Sequence, residues 1–182
     1  MGMPSNEYHF IAHWLVESSV QEVTHILSNA PDLARWWPSV YLDVQELAPG
    51  DGSGVGKEIG LYTKGWLPYT LRWQFRVTEV SPSGFALEAT GDFVGRGEWT
   101  FRQEGSMVII TYDWRIRADK PLLRTLSAVL KPLFSANHHW AMRMGEASLK
   151  LELARRRATT PAERAKIAPP PRPTFGFLLA GK

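Results

Sequence analysis

Alternation of apolar and polar side chains is the strongest signal in the chain. Between Tyr69 and Val80, Leu71, Trp73, Phe75 and Val77 alternate with Thr70, Arg72, Gln74 and Arg76. A period of two over that length predicts a strand with one apolar and one wet face. Phe93 to Gln103 repeats the pattern, with Trp99 and Phe101 opposed to Glu98, Thr100 and Arg102. So does Met107 to Arg117, where Val108, Ile110, Tyr112, Trp114 and Ile116 share one face and Thr111, Asp113 and Arg115 the other. Shorter strands are predicted at Val40–Leu47, Lys57–Thr63 and Phe85–Thr90. Gly65-Trp66-Leu67-Pro68, Ser81-Pro82-Ser83-Gly84 and Glu104-Gly105-Ser106 supply turns. The opening run His9–Val16 is rich in β formers and apolar on both faces in its middle, as expected of a strand covered on both sides. The expected total is about seven antiparallel strands.

Three segments follow the helical period instead. Val20, Val23 and Leu27 recur at helical spacing, and Ser19 with Glu22 forms a capping-box pattern ahead of them. Pro31 opens a second short helix, Asp32–Trp37, which Pro38 stops. After the strands, Pro121 opens a long helix from Leu122 to about Arg156. Leu122, Leu123, Leu126, Val129, Leu130, Leu133 and Phe134 trace its first apolar stripe. Trp140, Met144, Ala147, Leu151 and Ala154 trace the second, widened by Met142, Leu149 and Leu153. Residues 158–182 form a Pro-rich tail expected to be extended or disordered, in which only Phe175–Leu179 looks able to pack.

Composition sharpens this α+β reading. The 182 residues suit one domain, and they include eight Trp, eight Phe and five Tyr. So many rings imply either an aromatic core or an aromatic wall facing a ligand. There is no Cys, which excludes disulfides, thiolate metal sites and a Cys nucleophile. No basic-then-apolar leader and no apolar run of membrane-spanning length are visible, so a cytoplasmic location without stable membrane insertion is expected. Net charge is +3. The positive charge gathers at Arg155, Arg156, Arg157, Arg164, Lys166 and Arg172, which a solvated tail explains without nucleic acid. The loop Pro49–Gly56 is Gly-rich but lacks the Lys-Ser/Thr of a phosphate cradle. Nothing in the pattern fixes an oligomeric state.

Strand, two short helices, a run of antiparallel strands and a long C-terminal helix: that order resembles the START-domain and birch-pollen-allergen superfamily. More narrowly it resembles the polyketide cyclase/dehydrase and lipid-transport branch. The resemblance rests on the strand His9–Glu17, the helix Val20–Leu27 and Pro31-Asp32-Leu33-Ala34-Arg35-Trp36-Trp37-Pro38, and it covers Tyr8 to Arg157. It implies a helix-grip fold over residues 1–157, in which a curved sheet wraps the long helix. Between them it implies a deep cavity for apolar molecules such as lipids or aromatic polyketides. Fold alone does not choose between carriage and catalysis.

The candidate ligand-binding residues are Trp73, Phe75, Trp99, Phe101, Tyr112 and Trp114 from the aromatic strand faces, with His138 and Met142 from the long helix. If those faces adjoin, the rings either wall a cavity or fill the core; the pattern allows both. Tyr112 brings a hydroxyl to an apolar face, and the indole N–H groups of Trp73, Trp99 and Trp114 need partners when buried. Tyr112 and His138 are the candidates for proton transfer, because a His beside a cavity titrates near neutrality. Were the polar face the concave one, Arg72, Glu98, Asp113 and Arg115 would line the pocket and the ligand would be acidic. Complete pairing of so many buried charges makes that arrangement the costlier one. Adjacent His138 and His139 point about 100° apart on a helix, and His9 and His13 flank Ile11 on one strand face, so no metal site is expected. No cofactor fingerprint is present. The expected function is binding of a small apolar, lipid-like or aromatic molecule. The alternative is a cyclase or dehydratase acting in the same cavity.

Overall fold

In a computed structural model the chain is described over residues 6–118 and 121–175, with side chains at 118 and 121–130 outside the description. The strands are β1 (Glu7–Glu17), β2 (Tyr41–Ala48), β3 (Glu58–Lys64), β4 (Thr70–Ser81), β5 (Gly84–Gly91), β6 (Phe93–Glu104) and β7 (Met107–Ala118). They form one antiparallel sheet in the order β1-β7-β6-β5-β4-β3-β2. Hairpins build the run from β2 to β7, and the first strand then pairs with the last, Trp14 opposite Ile110. Helix α1 (Val20–Leu27), a 3-10 turn (Ala30–Asp32) and α2 (Leu33–Trp36) link β1 to β2, and α3 (Pro121–Arg157) follows β7. This is the helix-grip fold. None of the described helices is long and apolar enough to cross a membrane.

The alternating strands place their apolar faces inward. Leu71, Phe75, Val77, Trp99, Phe101, Ile110, Tyr112 and Trp114 are buried, whereas Arg72, Glu98 and Arg115 are exposed. That settles which face is concave: the aromatic one, because its burial releases water from large apolar surfaces and needs no charge pairing. The polar face carries salt bridges such as Arg115–Asp113, wet and weak by nature. His9 and His13 lie there too, bonded separately to Asp113 and Thr111. Alternation is broken locally, at the end of β3, where Thr63 and Lys64 are both buried, at a register shift between Val77 and Glu79 of β4, and in β2. A register irregularity between Tyr41 and Asp43 turns Tyr41 towards the core.

Helix α1 begins as its capping box requires. The Glu22 amide donates to Ser19 Oγ at 3.2 Å, and the Ser19 amide donates to Glu22 Oε2 at 3.1 Å. Arg157 at the end of α3 donates to the same carboxylate at 2.9 Å, tying the two helices together. A second tie is deeper. Glu152, 2 % exposed, accepts both guanidinium nitrogens of Arg35 at 2.9 and 2.8 Å, and Arg156 Nε at 2.7 Å. The basic run at the end of α3 is therefore engaged within the fold rather than offered as a free patch.

Helix α3 runs unbroken through Pro132, and of the expected second stripe only the widening residues Met142, Leu149 and Leu153 are buried. The buried residues of this half are Asn137, Met142, Gly145, Ser148, Leu149, Glu152 and Leu153, while Trp140, Met144, Ala147 and Leu151 are only partly covered and Ala154 is exposed. Close approach to large rings explains the rotation: a Cβ on Gly145 would lie 2.3 Å from Trp37 Cζ2 and 2.7 Å from Trp14 Cζ2. The first stripe, Leu122 to Leu130, lies outside the described side chains. Trp36 and Trp37 are both buried, though helical geometry would turn adjacent residues apart. Trp37 is already the C-cap of α2 with φ −125° and ψ 52°, outside helical backbone.

The Pro-rich segment is not wholly extended. Thr160 caps a short helix, α4 (Pro161–Lys166), by accepting from the Glu163 amide, and Pro161 occupies a first-turn position where no N–H is lost. Residues 167–175 then return along the body. Arg155 donates to the Ala168 carbonyl at 2.8 Å, and Thr174 donates to the Trp66 carbonyl at 3.0 Å. Of the expected packing segment Phe175–Leu179, positions 176–179 lie outside the described residues.

Candidate functional site

Between the concave sheet face and α3 lies a cavity of about 120 Å³. Its sheet wall is aromatic: Phe10, Trp73, Trp99, Tyr112 and Trp114 line it, with Tyr41 and Trp37 at the β2 side and Tyr69 at the β3–β4 turn. The helix contributes Phe134, Asn137, His138, Ala141 and Met142. Six of the eight residues expected from the sequence thus converge there: Trp73, Trp99, Tyr112, Trp114, His138 and Met142. Phe75 instead lines a smaller adjoining void of about 40 Å³, and Phe101 is buried core away from the cavity. A wider depression of about 390 Å³ on the outer face is lined by polar side chains such as Asp43, Arg72 and Gln74 together with Leu61 and Tyr62.

The rings are stacked rather than loosely gathered. Tyr112 stacks on Trp99 with centroids 4.1 Å apart and on Trp114 at 5.5 Å, and Trp73 tilts against Trp114 at 5.7 Å. Such pairs add stability beyond their buried area and fix ring orientation. A glycine makes room for them: a Cβ on Gly97 would lie 2.8 Å from both the Tyr112 hydroxyl and Trp114 Cε3.

The polar atoms at this wall are few. Burial pushes the Tyr112 phenol well above its ordinary value, with Tyr41 adding to the effect, and burial pushes Tyr41 up as well. Tyr69 is pushed up to about 12 by burial and by Tyr8, against a hydrogen bond from Asn137 Nδ2 at 3.4 Å. Asn137 Oδ1 accepts the Leu67 amide at 3.1 Å, so this side chain pins the β3–β4 turn to α3. His138 stacks on Phe10 at 4.1 Å. Burial, and to a lesser degree the neighbouring His139, lowers its pKa to about 3, and its Nε2 has no partner among the described residues. The indole N–H of Trp73 is met by Thr63 Oγ1 at 2.9 Å. The orphaned indoles are instead Trp14, Trp36 and Trp37, of which Trp37 lines the cavity.

Sequence reasoning misses several of these residues. Tyr41 sits beyond a bulge that periodicity cannot anticipate, and Asn137 is a polar residue on a face defined by apolar spacing. Lys64 lines the cavity at the end of β3 although its strand parity is outward. Phe10 carries a usable signal, since it alternates with Ile11 on a strand apolar on both sides.

No family model matches the sequence, and no curated protein matches it either. Solved structures share its shape. The Zhui aromatase/cyclase from Streptomyces sp. R1128 superposes with a TM-score of 0.62 at 16% identity, covering 84% of this chain and 97% of that one. A START superfamily protein from Mycobacterium smegmatis gives 0.58 at 14% identity, over 78% and 98% of the two chains. A Thalictrum flavum norcoclaurine synthase point mutant gives 0.56 at 16% identity, over 81% and 96%. At these identities the likeness establishes the fold.

Proposed function

We propose that this chain, built on the helix-grip fold seen in START and aromatase/cyclase proteins, binds a small aromatic or otherwise apolar molecule between its sheet and α3. The observation that carries the reading is the cavity of about 120 Å³ walled by stacked rings. Apolar cavities near 150 Å³ stay dry and admit a benzene-sized guest. Drug-sized ligands use pockets of roughly 300–1,000 Å³. One ring therefore fits as the cavity stands, and a larger lipid or polyketide requires side chains or α3 to move. Trp73, Trp99 and Trp114 supply the flat contact, Met142 an adaptable thioether, and Tyr112 and His138 neutral hydrogen-bonding groups.

Binding is favoured over proton-transfer catalysis by the state of those two groups. A phenol raised well above its ordinary value is a poor acid near neutrality, and an imidazole lowered to about 3 is a poor base. Neither is hydrogen-bonded to a second polar side chain among the described residues that would relay a proton.

Native mass spectrometry of protein purified from its own source, compared with the denatured mass, tests the reading. A bound small molecule released on denaturation is the expected result. An empty protein whose Trp fluorescence also ignores a panel of one- and two-ring aromatic compounds would remove the cavity's assigned role.

A further inference from the structure

Lys64 is 3 % exposed, lines the aromatic cavity, and is held by neutral groups only. Among the described residues, its ammonium donates to the carbonyl oxygen and to Oγ1 of Thr174 at 2.5 and 2.6 Å and lies 5.5 Å from the centroid of the Phe175 ring. No described carboxylate reaches it. An ammonium withdrawn from water normally demands a counter-charge, because carbonyl and hydroxyl dipoles only partly replace its hydration. Burial accordingly lowers its pKa. The neighbouring wall is well fixed. Gly65 packs directly against Asn137, where a Cβ would meet Oδ1 at 2.2 Å, and Asn137 holds the turn through Leu67. The cation is therefore placed by a rigid corner, while its oxygen partners come from a chain segment beyond α4.

We infer that Lys64 receives the anionic end of an amphipathic aromatic ligand, whose oxygens take the place occupied by Thr174. The ring enters between Trp73, Trp114 and the helix, and a carboxylate or comparable oxyanion meets the ammonium. The inference rests on the cavity reading above and narrows it from an apolar guest to an acidic one. It also gives the C-terminal segment a role: residue 174 stands in for the ligand's head group, so occupancy competes with docking of the segment.

The test uses the full chain and two near-isosteric probes, 3-phenylpropionate and 3-phenylpropionamide, titrated by Trp fluorescence and calorimetry. The expected result is a preference for the carboxylate of roughly 10- to 100-fold, the range expected of a hydrogen bond to a charged group. Lys64→Met should bring the ratio of the two affinities near one, and Lys64→Arg should keep most of it. Thr174→Val, which removes one competing oxygen, should raise the ratio; it remains informative if Lys64→Met does not fold. Equal binding of both probes by the unaltered protein would overturn the anion site while leaving the cavity reading in place. Binding of neither would overturn both.

Discussion

The hydroxyl of Tyr112 lies over Gly97 of the neighbouring strand, at a distance where a Cβ on the glycine would stand 2.8 Å from it. The same Cβ would stand 2.8 Å from Trp114 Cε3, so a missing methyl on β6 sets how deep both rings sit. Replacing Gly97 with Ala should lift them into the cavity. Removing a glycine from a strand usually gains about 0.4–1 kcal/mol through the unfolded chain. Overpacking costs about 1–3 kcal/mol. The expected net is a loss of about 1–2 kcal/mol, seen as a lower urea midpoint, together with weaker binding of one-ring probes. An unchanged probe affinity would mean that the rings have room to move elsewhere.

Gly145 does on the helix what Gly97 does on the sheet. Ala at a helix interior is favoured over Gly by about 1 kcal/mol. Here the added methyl would meet Trp37 at 2.3 Å and Trp14 at 2.7 Å, and those rings are themselves packed edge to face at 5.4 Å. The contact should dominate, so overpacking of about 1–3 kcal/mol less the propensity gain leaves Gly145→Ala destabilised by up to about 2 kcal/mol in chemical unfolding. Gly145→Ser should be no better. A stabilised Ala variant would show that α3 can move away from the Trp pair.

Those glycines show where sequence reading stops. The strands are legible because a pleated backbone forces alternation, and every long strand here buries one face. The capping box of α1 is legible because its reciprocal hydrogen bonds need particular side chains at fixed spacing. The buried face of α3 is legible only in part: Met142, Leu149 and Leu153 are visible in the apolar spacing, but Gly145 and Ser148 between them are passed over by an apolar count. Of the cavity, the ring-bearing strand faces are visible in advance, while Phe75 shows that sharing a face with Trp73 is not sharing a pocket. Lys64 escapes because its burial depends on Thr174, more than a hundred residues along the chain.

Acid should loosen the junction between α1 and α3 through one carboxylate, Glu22. The hydrogen bond from Arg157, helped by Ser19 and Ser18 and opposed by burial, holds Glu22 at about 2 instead of 4.5. A depressed carboxyl stabilises the fold fully above its unfolded value, and that contribution is lost as pH falls from about 4.5 towards about 2. The pair is 45 % and 42 % exposed, so screening limits its contribution to about 1 kcal/mol or less. Glu22→Gln should therefore flatten the urea stability profile within that pH window and leave it unaltered at pH 7 apart from a constant offset. An identical slope in both proteins would show that Glu22 and Arg157 part in solution.

Trp99 and Tyr112, stacked at 4.1 Å, should report occupancy directly. A one-ring guest against this pair is expected to change the intrinsic Trp emission, and Trp99→Phe should reduce the response while keeping an aromatic wall. Trp→Ala in a core costs about 3–5 kcal/mol, which is why the milder change is preferred for the titration. A response that survives Trp99→Phe undiminished would place the guest elsewhere.

His138 predicts a pH dependence of opposite chemical origin but the same sign. Its imidazole is held neutral in the fold, with a pKa of about 3 against an ordinary 6.5, because burial among Phe10, Ala141 and Met142 disfavours the charged ring and His139 repels it. Below about 6.5 the unfolded chain takes up a proton that the folded chain refuses, so stability falls on acidification until the folded ring also protonates near 3. The slope in that window is at most about 1.4 kcal/mol per pH unit. His138→Phe should remove this slope between pH 6.5 and about 4.5, above the region where Glu22 contributes. At neutral pH the variant should be at least as stable, since it also deletes an Nε2 that has no described partner. Chemical unfolding of both proteins at pH 7, 6 and 5 measures it: parallel stabilities would mean that the folded imidazole accepts its proton as freely as the unfolded one, and that the ring is solvated rather than enclosed.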